Sequence, residues 1–284
     1  MDEGQAGDGA SGTLLGRATP APAHYSPAIL YPIPRADSRA TLGLASGAPL
    51  PFCGVDLWHA YELSWLDEGE RPVAAVGRLL VPADSPNMVE SKSLKLYFNS
   101  LNNTVFGRPQ ALVDTVQADL ARVAGAAVTL DILAPDAIEL AGVALPGESL
   151  DAHEVSVPVG GPGDNLPEIA QGSTGAAQGE YRLYSHRLRS LCPVTAQPDW
   201  ASVWLHYRGR PLSQAGLMRY LLAFRNHQEF HEQCVERIFC DIMRCAEPEQ
   251  LTIQAFYTRR GGLDINPLRS TERNARPLGR LNRQ

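Results

Sequence analysis

From Asp56 onward the chain alternates apolar and polar positions. Trp58 to Leu66 (WHAYELSWL) and Pro72 to Val81 (PVAAVGRLLV) change face residue by residue, the period of a strand with one buried face, and the polar run Asp67 to Arg71 between them predicts a hairpin. Pro82 to Pro86 breaks the pattern. In ESKSLKLYFNSLNN the apolar positions Leu94, Tyr97, Phe98 and Leu101 then recur at helical spacing, a second helix follows around Gln110 to Val123, and Ala127 to Ala134 reads as a strand. Further along the order repeats. Tyr181 to Leu191 and Trp200 to Gly209 are predicted strands, Leu212 to Phe224 and Gln228 to Met243 predicted helices, and Gln250 to Arg260 a closing strand. Each half therefore reads strand, strand, helix, helix, strand. The expected class is α+β: two units of similar design, each an antiparallel sheet with helices on one face.

The segments outside these periods set the expected boundaries. Residues 1–40 are rich in Ala, Gly, Pro and Ser without an apolar period, so a tail that is mostly disordered or laid over the surface is expected. Gly7, Gly9 and Gly12 match G-x-G-x-x-G there, but no strand precedes them and no helix follows, so the dinucleotide-binding context is missing. Residues 159–179 are Gly-rich and weakly patterned, which marks a linker or a long surface excursion. The predicted units are thus 41–158 and 180–284.

Composition narrows the function classes. A formal net charge of −6 gives no electrostatic footprint for duplex nucleic acid, and no apolar run reaches membrane length. With no charged-then-apolar signal pattern, the expectation is a soluble, unsecreted protein of the cytoplasm. Five cysteines without small-scaffold spacing fit free thiols in a reducing compartment. Of the 25 basic residues only two are lysines, and both, Lys92 and Lys95, fall in VESKSLKLY. Three residues apart on a helix, they share a face.

Candidate chemistry concentrates in SLCPVTAQPDW, Ser190 to Trp200. Cys192 and Asp199 lie in a segment that Pro193 and Pro198 keep out of a strand ladder, shaped as a loop. A cysteine on a rigid, partly exposed loop can be tuned toward the reactive thiolate, with the carboxylate as proton donor. Cys192 as a small buried apolar group, with Asp199 as a turn residue, is the plainer alternative. In QEFHEQCVERIFCDIM, Cys234, Ile238 and Ile242 form a stripe that should face the sheet, making Cys234 packing. His227 and His231 stand at a spacing that can clip a metal, but three dispersed ligands without a second cluster are a weak zinc signal. Glu232 has a better use, since a carboxylate accepts two hydrogen bonds side by side from the N–H and amino edge of a guanine-like base. In RRGGLDINP, Arg259 to Pro267, two guanidinium groups and a flexible Gly261–Gly262 pair can reach phosphates or form an ordinary turn.

With these residues in view, the chain resembles the long form of the NADPH-dependent 7-cyano-7-deazaguanine reductases, the nitrile reductases of queuosine biosynthesis. The likeness rests on ESKSLKLY (Glu90 to Tyr97), LCPVTAQPDW (Leu191 to Trp200), FHEQC (Phe230 to Cys234) and YTRRGGLDINP (Tyr257 to Pro267), in the family's order. It implies two tandem tunnelling-fold units of ferredoxin-like design and a homodimer, with no metal and no direct nucleic-acid partner. It implies Cys192 as the nucleophile that adds to the nitrile carbon to give a thioimide, and Asp199 as proton donor. Val89, Glu90, Ser91, His231 and Glu232 become the expected deazaguanine contacts. Ser91, Lys92, Arg260 and Gly261 become the expected NADPH contacts, with Lys92 and Arg260 favouring the extra phosphate over NADH. A thiolate adduct accepts hydride more readily than a nitrile does, so covalent catalysis divides one hard step. Two other classes compete: a zinc-dependent GTP cyclohydrolase-like enzyme, which needs metal at Cys192 and the histidines, and a non-catalytic purine-binding module.

Overall fold

A computed structural model describes residues 13–170 and 177–284. In chain order it contains β1 (Pro32–Pro34), α1 (Arg35–Thr41), β2 (Cys53–Leu66), β3 (Pro72–Pro82), β4 (Asn87–Val89), α2 (Ser91–Leu101), α3 (Pro109–Ala124), β5 (Thr129–Leu133) and β6 (Glu148–Ser149). Then come β7 (Gly179–Leu191), β8 (Pro198–Gly209), α4 (Gln214–Ala223), α5 (His231–Ala246), β9 (Gln250–Tyr257) and β10 (Leu263–Ser270). Eight strands form one sheet in the order β5-β3-β2-β10-β9-β8-β7-β6, antiparallel except where β6 meets β7. The duplication is visible in its irregularities. The β2–β3 hairpin shifts register between Ala60 and Leu63, and the β7–β8 hairpin does so between Ser185 and Leu188. A register shift thus falls at a matching place in each of the two long hairpins.

Among the described residues each half has a large apolar core, and a smaller cluster forms around Leu145, Trp204, Phe256 and Leu281. Leu94, Tyr97, Leu101, Leu112, Val116 and Leu120 of α2 and α3 pack on Trp58, Leu63 and Leu79 of the first sheet half. Leu217, Leu221, Val235, Ile238 and Phe239 of α4 and α5 pack on Leu183, Val203, Leu205 and Ile253 of the second. Local signals fix the helix ends. Glu90 caps α2 by accepting from the Ser93 N–H, Pro109 opens α3, and Gly125 closes α3 at φ 72°, a left-handed stop that glycine adopts without strain.

The structure departs from the sequence reading in three places. The C-terminal half has a further strand, β10, where the sequence predicts a segment that reaches phosphates or an ordinary turn beyond the closing strand. It joins the halves by pairing with β2, Leu263 opposite Ala60 through Ser270 opposite Cys53, and with β9. The tail is in part built into the fold: β1 pairs with β4, Pro32 opposite Val89, and Arg35 and Arg39 of α1 are buried. Gly7, Gly9 and Gly12 lie outside the described residues. Within 159–179, Pro162–Glu168 forms a 3-10 turn with Pro162 and Asn165 buried, and 171–176 lie outside the described residues.

Candidate active site

The Cys192 loop is shaped from both ends. Across it, the Cys192 N–H donates to the Gln197 carbonyl and the Ala196 N–H to the Cys192 carbonyl, both at 2.9 Å. From outside, the Leu191 N–H donates to His227 at 2.8 Å, and the Glu229 N–H returns a bond to Leu191 at 3.1 Å, so the approach to α5 is sewn to the loop. This bracing corrects one expectation. Cys192 is not partly exposed on a loop crest but 2% exposed, in the wall of a pocket between the two sheet halves. Asp199, at the start of β8 opposite Ser190, lines the same pocket, as do Phe230, His231 and Glu232 around the start of α5, Val89 at the end of β4 and Ser91 at the start of α2.

Asp199 is held on both oxygens. Its Oδ1 accepts from Arg260 Nη1 at 2.6 Å, and its Oδ2 lies 3.2 Å from His231 Nε2. The His231 imidazole stacks on Tyr257 with ring centroids 3.9 Å apart and planes 25° off parallel, which fixes the ring that faces the carboxylate. His227 turns elsewhere, its Nε2 3.1 Å from Glu229, so the two histidines do not converge. Among the described residues no group of three His, Cys, Asp or Glu side chains could hold a metal ion. Cys234 is fully buried in the second core, where burial pushes its thiol well up, consistent with packing.

Two further carboxylates are buried nearby: Glu232 in the pocket wall, and Glu90, which lies between the lining residues Val89 and Ser91 but does not itself line the pocket. Glu90 is 1% exposed; its Oε2 accepts from the Ser93 N–H at 3.0 Å while Oε1 has no hydrogen-bond partner, and burial raises its pKa. Glu232 is also raised, first by burial and then by the charge of Asp56, with His231 and Arg35 opposing. Carboxylates held up by desolvation gain from any ligand that brings N–H donors.

Next to the pocket runs an open cleft lined by Ser91, Lys92, Lys95, Gln197, Arg260 and Gly261; Ser91 and Arg260 border both spaces. The free space in the pocket is about 20 Å³ and that in the cleft about 490 Å³. The four residues expected as NADPH contacts, Ser91, Lys92, Arg260 and Gly261, thus line one cleft, three of its side chains are cationic, and Gly261 sits there at φ 58°. Lys92 Nζ, however, donates to the backbone carbonyls of Leu14 (2.9 Å) and Arg17, and Leu15 reaches both spaces. That contact had no signal in the sequence, because residues around 13–17 carry no period. Trp58, Met88, Ile33 and Ile265 also line the pocket unannounced, hidden among strand residues.

A buried cysteine, a carboxylate held by Arg260 and His231, and a second buried carboxylate, Glu232, thus share one pocket beside a cationic cleft, in an α+β sheet of the tandem tunnelling-fold class. Comparison with known proteins narrows this. Residues 21–132 match the family model described as nitrile reductase, 7-cyano-7-deazaguanine-reductase N-term, and residues 198–276 match QueF-like protein. The chain is 50% identical over 268 residues to the NADPH-dependent 7-cyano-7-deazaguanine reductase of Bordetella pertussis, covering 94% of this chain and 96% of that protein. It is 50% identical over 272 residues to the reductase of the same name from Chromohalobacter salexigens (95% and 96% covered), and 51% over 257 residues to that of Bordetella avium (90% and 92%). The chain belongs to the NADPH-dependent 7-cyano-7-deazaguanine reductase family.

Proposed function

We propose that this chain reduces the nitrile of 7-cyano-7-deazaguanine to the aminomethyl group of 7-aminomethyl-7-deazaguanine, in queuosine biosynthesis, through a thioimide on Cys192. The observation that carries this is the meeting of Cys192, Asp199, His231 and Glu232 in one pocket that shares Ser91 and Arg260 with the Lys92–Arg260 cleft. Glu232 and Glu90 accept from the N–H edge of the base, which orients the nitrile toward Cys192. The thiol proton passes to Asp199 as sulfur bonds to the nitrile carbon, and the same proton goes on to the nitrile nitrogen, leaving a neutral thioimide. NADPH, bound along the cleft, supplies hydride, once to the thioimide carbon and once more to the imine that forms when the C–S bond breaks and the thiolate departs. His231, 3.2 Å from Asp199, is the second proton site for the later additions to nitrogen. Arg260 contributes twice, holding Asp199 and offering the rest of its guanidinium to the co-substrate.

The cleft's residues fit a phosphate-bearing group: Lys92, Lys95 and Arg260 supply charge, and Gly261 leaves no side chain in the way. We further propose a homodimer in the cytoplasm with no direct nucleic-acid or membrane partner; among the described residues no helix is long and apolar enough to cross a membrane. Absorbance at 340 nm tests the activity. Two NADPH consumed per nitrile, with the amine as product, is the expected result, and binding of the nitrile without NADPH oxidation returns the purine-binding module.

A further inference from the structure

The short segment Thr13 to Arg17, which has no period in the sequence, sits where the pocket and the cleft meet. Thr13 is buried, and the Arg17 N–H donates to the Leu14 carbonyl at 3.2 Å, closing a tight turn whose third residue, Gly16, stands at φ 73°. Glycine takes that left-handed corner without strain. The turn places Leu15 in the wall of the pocket beside Cys192 and Asp199, and in the lining of the cleft as well. It also presents the Leu14 and Arg17 carbonyls to the Lys92 ammonium, which donates to both, at 2.9 Å to Leu14. Gly16 passes close to the Cys192 loop, since a Cβ there would lie 4.0 Å from Val194 Cγ1 and Thr195 Cγ2.

This seat leaves little room for substrates. Pockets that take a small molecule offer roughly 300 Å³ or more. The free space beside Cys192 is about 20 Å³, enough for a single water, so a bicyclic base enters only after part of the wall moves. Leu15 lies in a segment that precedes the first strand and helix, whereas the rest of the lining belongs to strands, helices or the short connections between them. The Lys92 ammonium, meanwhile, is engaged by two neutral carbonyls. A hydrogen bond to an ionised acceptor is roughly twice as strong as one to a neutral acceptor, so a phosphate displaces them.

We infer that residues 13–17 are an autoinhibitory strap: the turn closes the mouth shared by pocket and cleft, and a phosphate-bearing co-substrate opens it by taking Lys92 from the Leu14 and Arg17 carbonyls. The inference rests on the reading of the cleft as the NADPH site. Once Lys92 turns to phosphate, the turn loses its anchor and Leu15 leaves the pocket wall, which makes room for the base. Closed and open forms are in equilibrium. The nitrile therefore still reaches Cys192 through the open fraction when NADPH is absent, at a lower apparent affinity.

Calorimetric titration of NADP+ into the full-length protein tests this. Leu15→Ala, which removes packing from the closed form, and Gly16→Ala, which strains the turn, are each expected to tighten NADP+ binding about 3–10-fold, with kcat within about twofold of the parent. Truncation at a site that only supports the fold gives no such gain. An unchanged Kd would overturn the inference, and so would a weaker one, the mark of a lid that closes over bound co-substrate. A second measurement needs no variant. Arg17 is exposed, and the bond after it is a trypsin site whose carbonyl Lys92 holds. Saturating NADP+ is expected to speed cleavage after Arg17 at least about threefold, read by intact mass, because cleavage follows the population of the open form. Protection of that bond by NADP+ would refute the strap. If NADP+ binds neither the parent nor Leu15→Ala, the reading of the cleft fails, and the inference with it.

Discussion

Replacing Arg269 by Met removes the centre of the ion network that ties α5, β2 and β10 together. Arg269 is fully buried and donates to Asp56 Oδ1 at 2.8 Å, to Glu236 Oε1 at 2.9 and 3.1 Å, and to the Leu268 carbonyl at 2.9 Å. Methionine is apolar and fills much of the same space, so the main loss is charge-assisted hydrogen bonding to two carboxylates that cannot reach water. Removing one partner from such a buried network costs about 3–5 kcal/mol. For a chain of this size that is a fall of about 6–10 °C in Tm. The network also has a pH signature. Burial would raise Asp56 and Glu236, but Arg269, with Arg35 and Arg39, holds both carboxyl groups below their usual range. Their folded pKa values are therefore depressed, so the stability they contribute is present above the unfolded carboxylate value, about 4, and is lost as pH falls through the folded values. Calorimetric scans across neutral to acid pH should show the Met variant destabilised near neutrality and less steeply dependent on acid than the parent. A loss under about 1 kcal/mol with an unchanged acid slope would refute the electrostatic account.

Two other substitutions probe the site. Lys92→Met should raise the KM for NADPH by at least tenfold, the loss of a charge-assisted hydrogen bond worth roughly 1.5–3 kcal/mol, while nitrile affinity holds; steady-state kinetics with each substrate varied decides it. Tyr257→Leu removes the ring under His231 and should lower kcat by about 2–10-fold, the worth of one aromatic pair, whereas Tyr257→Phe should keep kcat near the parent value. Equal losses in the two Tyr257 variants would assign the effect to the hydroxyl and not to the stack.

What patterning could see, it saw. The paired hairpins and four long helices follow from periods of two and of 3.6, because each buries one face. Strand β10 escaped for the opposite reason. All eight of its residues are buried, including Asp264, Asn266 and Arg269, so it shows no alternation, and Pro267 argues against a central strand. The tail escaped because Arg35 and Arg39 bury guanidinium groups by pairing, and an arginine in an Ala- and Ser-rich stretch reads as solvent-facing. At the site, Cys192, Asp199, His231 and Glu232 were legible through their motifs, and the structure gathers them in one pocket. The depth of Cys192 was not legible, since it depends on bonds from Leu191 to the segment before α5, distant in sequence. Neither was the contact of Lys92 with Leu14 and Arg17.

The account rests on a bond between the Cys192 sulfur and the nitrile carbon. Intact-mass spectrometry of the protein mixed with 7-cyano-7-deazaguanine, without NADPH, tests it most directly. The expected result is a mass gain equal to one ligand, absent in Cys192→Ala and lost when NADPH is added. An unchanged mass in a protein that still oxidises NADPH with this nitrile would contradict it.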